Sequence, residues 1–202
     1  MNDVLDGYAA AAPLLIERFE SFSSAELLEP VLDLIPRHSG RAIDICTGTG
    51  RDAAWLARQG HDVVAVEPVR ELREAGKVIH HALPIRFLDD CLPALELALT
   101  HGQFDLVLAC AVWQHLDDDD RARGMLSLAK LTAPGGTLIM SLRHGPGPAG
   151  RRVFPVTADA TVELARQAGL SVIRRAERDS IQPGNRAAGV RWTWLAFAGK
   201  SL

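Results

Sequence analysis

The chain has one tyrosine, three cysteines and no apolar run approaching the roughly 20 residues of a membrane span, and each shortage excludes something. Cys46, Cys91 and Cys110 are odd in number, far apart and without a C-x-x-C pair, so neither a disulfide framework nor a zinc site is indicated. Reduced, mostly buried thiols and no metal are expected. The N-terminal stretch MNDVLDGYAAAA lacks the positive segment of a secretory signal, which with the missing span predicts a cytoplasmic protein with no membrane partner. The only tyrosine, Tyr8, lies ahead of every strand-like segment, so the Tyr-x-x-x-Lys pair of short dehydrogenases is impossible here.

What is present describes an ordinary globular chain. Its 202 residues are 48% hydrophobic and 23% charged, enough for one domain with a substantial core and too apolar for extensive disorder. No repeat or low-complexity segment appears. The net charge of −3 conceals an asymmetry: residues 1–140 hold 12 Lys/Arg against 21 Asp/Glu, and residues 141–202 hold 10 against 4, so the parts carry −9 and +6. A basic last third suits an anionic substrate or RNA phosphates, and equally a solvated face that balances an acidic one.

Two segments, Val4–Phe19 and Ser24–Ile35, carry apolar residues at helical spacing, the second with Ser24 as N-cap and Pro36 as stop. They predict a helical N-terminal appendage over residues 1–40. Beyond it, short apolar runs at Ala42–Cys46, Val63–Val66, Ile85–Leu88, Leu106–Cys110 and Thr137–Leu142 alternate with helix-like stretches at Arg51–Arg58, Glu71–His80, Pro93–Leu99 and Asp118–Leu131. This alternation predicts a doubly wound α/β fold, a mostly parallel sheet with helices on both faces. Pro134-Gly135-Gly136 reads as a tight turn into the fifth strand, and the alternating Gly and Pro of residues 144–150 read as a loop. A helix near Ala158–Ala168 and strands near Ser171–Ala176 and Trp192–Ala198 follow. The short, turn-rich IQPGNRAAG between those strands makes the last of about seven strands antiparallel. All 202 residues are therefore read as one domain: appendage, core over 41–142, and a substrate-side loop with C-terminal strands over 143–202.

The chemistry concentrates in AIDICTGTGRDA, residues 42–53. A strand that enters a glycine turn and then a helix lets backbone approach a ligand, since Gly48 and Gly50 carry no Cβ. Gly48-x-Gly50-x-x-Ala53, with Glu67 19 residues past Gly48 at the end of the second strand, satisfies a dinucleotide fingerprint in which the acidic residue grips a ribose diol. An NAD enzyme and an S-adenosylmethionine-binding protein share all of this. Asp44 discriminates between them, because a pyrophosphate is repelled by a nearby carboxylate whereas an ammonium and a sulfonium are attracted. The plainer reading, a carboxylate that caps the glycine turn, is compatible with either.

In these residues the chain resembles the class I (Rossmann-like) S-adenosylmethionine-dependent methyltransferases. Residues 42–53 look like their first motif, Val64–Pro68 like the acidic end of their second strand, Phe87–Pro93 like their adenine-contacting segment, Phe104–Ala111 like their fourth motif and Leu131–Leu138 like their turn into strand five. The resemblance implies that Asp44 attracts the cofactor ammonium and that backbone at Cys46, Gly48 and Gly50 lies against the cofactor. It also implies that Glu67, followed by Pro68, accepts from both ribose hydroxyls. Asp90 would accept from the adenine amino group, with Asp89 as the competing choice, one of the pair capping the next helix, and Cys91 beside them. Ala109 would border the site at the end of strand four. Arg51 either pairs with the cofactor carboxylate or is an exposed helix-start residue. The stretch Ala109–Leu116 lacks the Asn/Asp-Pro-Pro-Tyr/Phe pattern of base-methylating enzymes, which turns the expectation toward a small-molecule acceptor and makes nucleic acid the lesser reading. His115 is the candidate general base, set against a packed or capping histidine. Arg143 and His144 would bind acceptor or steer an anion, or else belong to a surface loop. Tyr8 would fold over the site with the first helix, and Trp113 would stack on the acceptor or sit in the core.

Overall fold

A computed structural model describes residues 2–200. The chain opens with α1 (Asn2–Glu20), a short α2 (Ser24–Leu27) and a 3-10 helix (Glu29–Leu34). The predicted single helix over Ser24–Ile35 is therefore two pieces. Pro30 has no N–H to continue an α-helical ladder, and the chain tightens into 3-10 geometry at the first turn containing it. The N-cap is Ser23 rather than Ser24: its hydroxyl accepts from the Glu26 N–H at 3.1 Å.

Strands and helices then alternate: β1 (Arg41–Ile45), α3 (Arg51–Arg58), β2 (Asp62–Val66), α4 (Arg70–Ile79), β3 (Ile85–Leu88), α5 (Glu96–Thr100), β4 (Phe104–Ala109), α6 (Asp118–Leu131) and β5 (Thr132–His144). After the Gly/Pro loop come α7 (Ala158–Gln167), β6 (Ser171–Asp179), α8 (Pro183–Ala187) and β7 (Arg191–Ala198). The seven strands lie in the order β3-β2-β1-β4-β5-β7-β6, parallel except for β7, which runs antiparallel to both neighbours as the short connection requires. The expected turn at Pro134–Gly136 lies inside β5 as an irregularity: pairing with β4 jumps from Phe104↔Thr132 to Leu106↔Thr137. The β6–β7 connection, read as turns alone, holds the single-turn α8 with Pro183 at its start.

Strand alternation divides the core in two. Ile43, Ile45, Val107, Leu138 and Met140 face α6 and α7, while Ala42, Ala65, Leu106, Leu108 and Ile139 face α3 and the N-terminal helical pieces. Asp44 and Ser141 share the second face. A third cluster seats α1 on α4, Ala12 and Leu15 against Val69 and Leu72. Because β1 leads leftward to β2 and β4 leads rightward to β5, a crevice opens where their carboxyl ends diverge. Helix α1 lies across it. Among the described residues no helix is long and apolar enough to cross a membrane, and no cluster of side chains could hold a metal ion.

Candidate active site

A cavity fills the crevice between the carboxyl ends of β1, β2 and β4 and the underside of α1. Two backbone positions at its floor are in the left-handed region without being glycine, Cys46 (φ 57°) and Ala111 (φ 57°), each just past the end of a central strand. Such conformations cost about 1–3 kcal/mol and survive where the surroundings hold them. Ser141 does so for Ala111, accepting its N–H at 2.9 Å.

Asp44 is buried at this floor and accepts from the Thr47 hydroxyl; burial and the neighbouring Asp52 carboxylate push its pKa up to about 8. Glu67, also buried, accepts from the Gly48 N–H at 2.7 Å and the Val69 N–H at 2.8 Å. Burial nevertheless raises it to about 7. Both carboxylates border the cavity, and neither forms an ion pair with a described residue. Arg51 is the nearby cation, but its guanidinium is spread over Asp52 (2.9 and 2.8 Å), the Phe19 carbonyl (2.9 Å) and the ring of Phe22 (4.0 Å). It is neither exposed nor free.

The two glycines serve different partners. Gly48 borders the cavity, with the Phe19 ring of α1 3.0 Å from where a Cβ would stand. Gly50 does not: the space beside it belongs to Phe87, 2.9 Å from that position, so its φ of 81° serves the start of α3 and packing against β3 rather than a ligand. Pro68, Cys46 and Cys91 line the cavity as expected, whereas Ala109 is sealed in the sheet and Cys110 and Ala111 take the place read for it. Neither Asp89 nor Asp90 reaches the cavity wall. Asp90 spends its oxygens on the Cys91 and Ala98 N–H groups, both at 2.9 Å, which makes it the helix-capping member of the pair. Asp89 projects to solvent and pairs with Arg73 at 2.7 Å.

At the other end of the cavity, residues 107 positions apart meet: the Tyr8 hydroxyl lies 3.0 Å from His115 Nε2. His115 Nδ1 lies 2.7 Å from the Arg152 carbonyl, which can only accept, so Nδ1 carries the proton and Nε2 accepts from Tyr8. Burial lowers the His115 pKa, with Arg151 and Arg143 adding to the effect, and the imidazole is neutral near pH 7. Trp113, in the same short turn, points the other way and is fully buried in the core. Arg143 lines the cavity, while His144, its neighbour on β5, projects from the opposite face and bonds Thr193 Oγ1 at 2.8 Å. Sequence reasoning missed Gln114, Arg151, Trp192 and Trp194, which all line the cavity. Pairing carries the signal for the tryptophans, since Arg143↔Trp192 and Ser141↔Trp194 are opposed across β5 and β7, but it is visible only once the register is known.

Residues 42–136 match the family model of a methyltransferase domain. An uncharacterized methyltransferase of Mycobacterium tuberculosis is 34% identical over 107 residues, which are 52% of this chain and 40% of that protein, so the match spans about two fifths of the relative's length. Burkholderia thailandensis 1,6-didemethyltoxoflavin-N1-methyltransferase, solved with 1,6-didemethyltoxoflavin and S-adenosylhomocysteine, superposes with a TM-score of 0.78 at 18% identity, covering 99% of this chain and 88% of that one. The [4+2]-cyclase SpnF superposes with a TM-score of 0.73 at 16% identity, over 96% and 94% of the chains, a likeness of fold alone. Residues 42–136, a little under half of the chain, thus carry the pattern of a methyltransferase domain, on the strands whose carboxyl ends border the cavity.

Proposed function

We propose that the protein transfers a methyl group from S-adenosylmethionine to an O or N atom of a small-molecule acceptor, as a cytoplasmic enzyme. The observation that carries this reading is the pair of buried, unpaired carboxylates, Asp44 and Glu67, on the wall of the cavity that also holds Tyr8 and His115. Buried carboxylates that accept hydrogen bonds but have no ion-pair partner suit a cationic ligand, and each still has lone pairs to accept from an ammonium or a ribose diol. When bound, the cofactor supplies a methyl group on a positively charged sulfur, which departs as a neutral thioether.

The protein's own part is to hold the acceptor in line, exclude water and remove a proton where the acceptor has one to lose. Tyr8 and His115 are arranged for the last task. Tyr8 takes the acceptor proton on oxygen while passing its own to Nε2, and the Arg152 carbonyl stabilises the resulting imidazolium through Nδ1–H. In this reading α1 is a lid, residues 41–142 hold the cofactor, and the segment after β5 faces the acceptor, within a single domain.

Acceptors among RNA or proteins fit less well. Three of the six charges of basic excess in the last third are met by carboxylates of the first part: Arg152 by Asp3, Arg174 by Asp33, Arg178 by Glu29. The test is conversion of S-adenosylmethionine to S-adenosylhomocysteine with a panel of small O and N acceptors, for the protein and for Tyr8→Phe and His115→Asn. Turnover that falls about 10²-fold or more with unchanged cofactor affinity supports the relay. Binding without turnover across the panel contradicts a transferase and favours a cofactor-binding protein or a chemistry like the cyclase's.

A further inference from the structure

Five arginines line the cavity: Arg18, Arg51, Arg143, Arg151 and Arg178. Their surroundings sort them. Arg51 is neutralised by Asp52 at 2.8 Å, Arg178 faces Glu29 at 3.4 Å, and Arg18 lies exposed on α1. Arg143 and Arg151 are partly buried, and neither makes an ion pair with a described carboxylate. Arg143 donates through one terminal nitrogen to the Gly145 carbonyl at 3.4 Å and to the Pro146 carbonyl. Arg151 rests its guanidinium over the Tyr8 ring at 4.6 Å, and its buried Nε has no hydrogen-bond partner. Both stand close enough to His115 to disfavour its protonation. The exposed Asp179 also borders the cavity but pairs with neither.

Two uncompensated cations beside a proton-accepting pair make a poor site for a neutral acceptor, because the imidazolium formed there would be a third positive charge. Trp192 and Trp194 add apolar wall: Trp192 opposes Arg143 across the β5–β7 ladder, so it lies beside that arginine on the same face of the sheet. We infer that the acceptor is a small, largely apolar anion, held by Arg143 and Arg151 against the Trp192 wall at the Tyr8–His115 end of the cavity. The inference rests on the methyltransferase reading and deepens it. The anion neutralises the arginines and so removes their share of the opposition to a proton on His115, the share due to burial remaining, which couples acceptor binding to proton removal. Guanidinium groups bind a carboxylate or phenolate through charge-assisted hydrogen bonds, and a neutral isostere forfeits them.

The experiment titrates the 202-residue chain, saturated with S-adenosylhomocysteine, with hydroxybenzoates and aminobenzoates and with the matched carboxamides, by calorimetry and tryptophan fluorescence. Carboxylates are expected to bind about tenfold or more tighter than their amides, and Arg143→Gln and Arg151→Gln are each expected to erase about tenfold of that preference. Arg174→Gln, on an arginine outside the cavity and paired with Asp33, should leave it intact. S-adenosylhomocysteine affinity reports whether each variant is folded. If the wild-type protein fails to bind S-adenosylhomocysteine, the methyltransferase reading falls and the inference with it. If S-adenosylhomocysteine binds but no acid is preferred over its amide, or the preference survives both substitutions, the inference alone is overturned.

Discussion

Asp44 is an expensive residue for the ligand-free protein. A carboxylate in the first strand, buried against Asp52 with only a shared arginine nearby, is retained at the cost of stability. Asp44→Asn should therefore leave the ligand-free melting temperature unchanged or raised while weakening S-adenosylmethionine by about 1.5–3 kcal/mol, read by calorimetry and thermal unfolding. Loss of both stability and affinity would instead mark the residue as a structural cap. The pH dependence follows from the same groups. The folded pKa values of Asp44 and Glu67 stand at about 8 and about 7, above their ordinary 3.8 and 4.5. A raised carboxylate contributes stability that is complete below its unfolded pKa and lost as the pH rises through its folded pKa. The ligand-free protein should thus weaken from about pH 4 to pH 8. A cationic ligand favours the ionised carboxylates, so binding should release protons near pH 7 and tighten toward pH 8. Calorimetry in buffers of different ionisation enthalpy reads the release, and proton uptake on binding contradicts it. At this scale the sequence was informative where a strand's end fixes a side chain's place, as with Asp44 and Glu67, which both border the cavity. It was silent where two neighbours trade places: nothing local separates Trp113 in the core from Gln114 at the cavity, or Asp90 on a helix cap from Asp89 in solvent, since side-chain direction in an irregular turn depends on partners far along the chain.

At the scale of elements, the site depends on how closely α1 and α4 approach the glycine turn. Gly76 in α4 has the Thr49 carbonyl 2.3 Å from where a Cβ would stand, so the helix and the turn touch backbone to backbone. Gly76→Ala must push them apart. It should cost about 1–3 kcal/mol of stability and loosen the cofactor pocket, whereas alanine in an unconstrained helix position would help. Unchanged stability would show that the contact is not tight. Helix α1 is fastened more diffusely, by Phe19 on Gly48, by Glu20 with Thr49 and His80, and by the Arg51 bond to the Phe19 carbonyl. Periodicity predicted that helix over Val4–Phe19 from its apolar stripe; the structure extends it to Asn2–Glu20, with Pro13 tolerated inside it. The same periodicity overran Pro30, where a missing N–H outweighs an apolar pattern in so short a segment.

For the whole molecule, the mostly parallel sheet with its antiparallel last strand follows from physics the sequence displays openly: apolar runs buried on both faces, strands alternating with helices, and a last connection too short for a crossover. The wall that Trp192 and Arg143 build was hidden, because it needs β5 and β7 in register, and the placing of Arg151 beside it needs the loop over residues 145–155 folded back. The central claim is that the crevice at the carboxyl ends of β1 and β4 selects a cationic sulfonium nucleoside over a pyrophosphate. Its most direct test is competitive calorimetric titration of the 202-residue chain with S-adenosylmethionine and NAD at pH 8. The account expects saturable binding of S-adenosylmethionine with protons released and none of comparable strength for NAD. Tight NAD binding with S-adenosylmethionine ignored would contradict it.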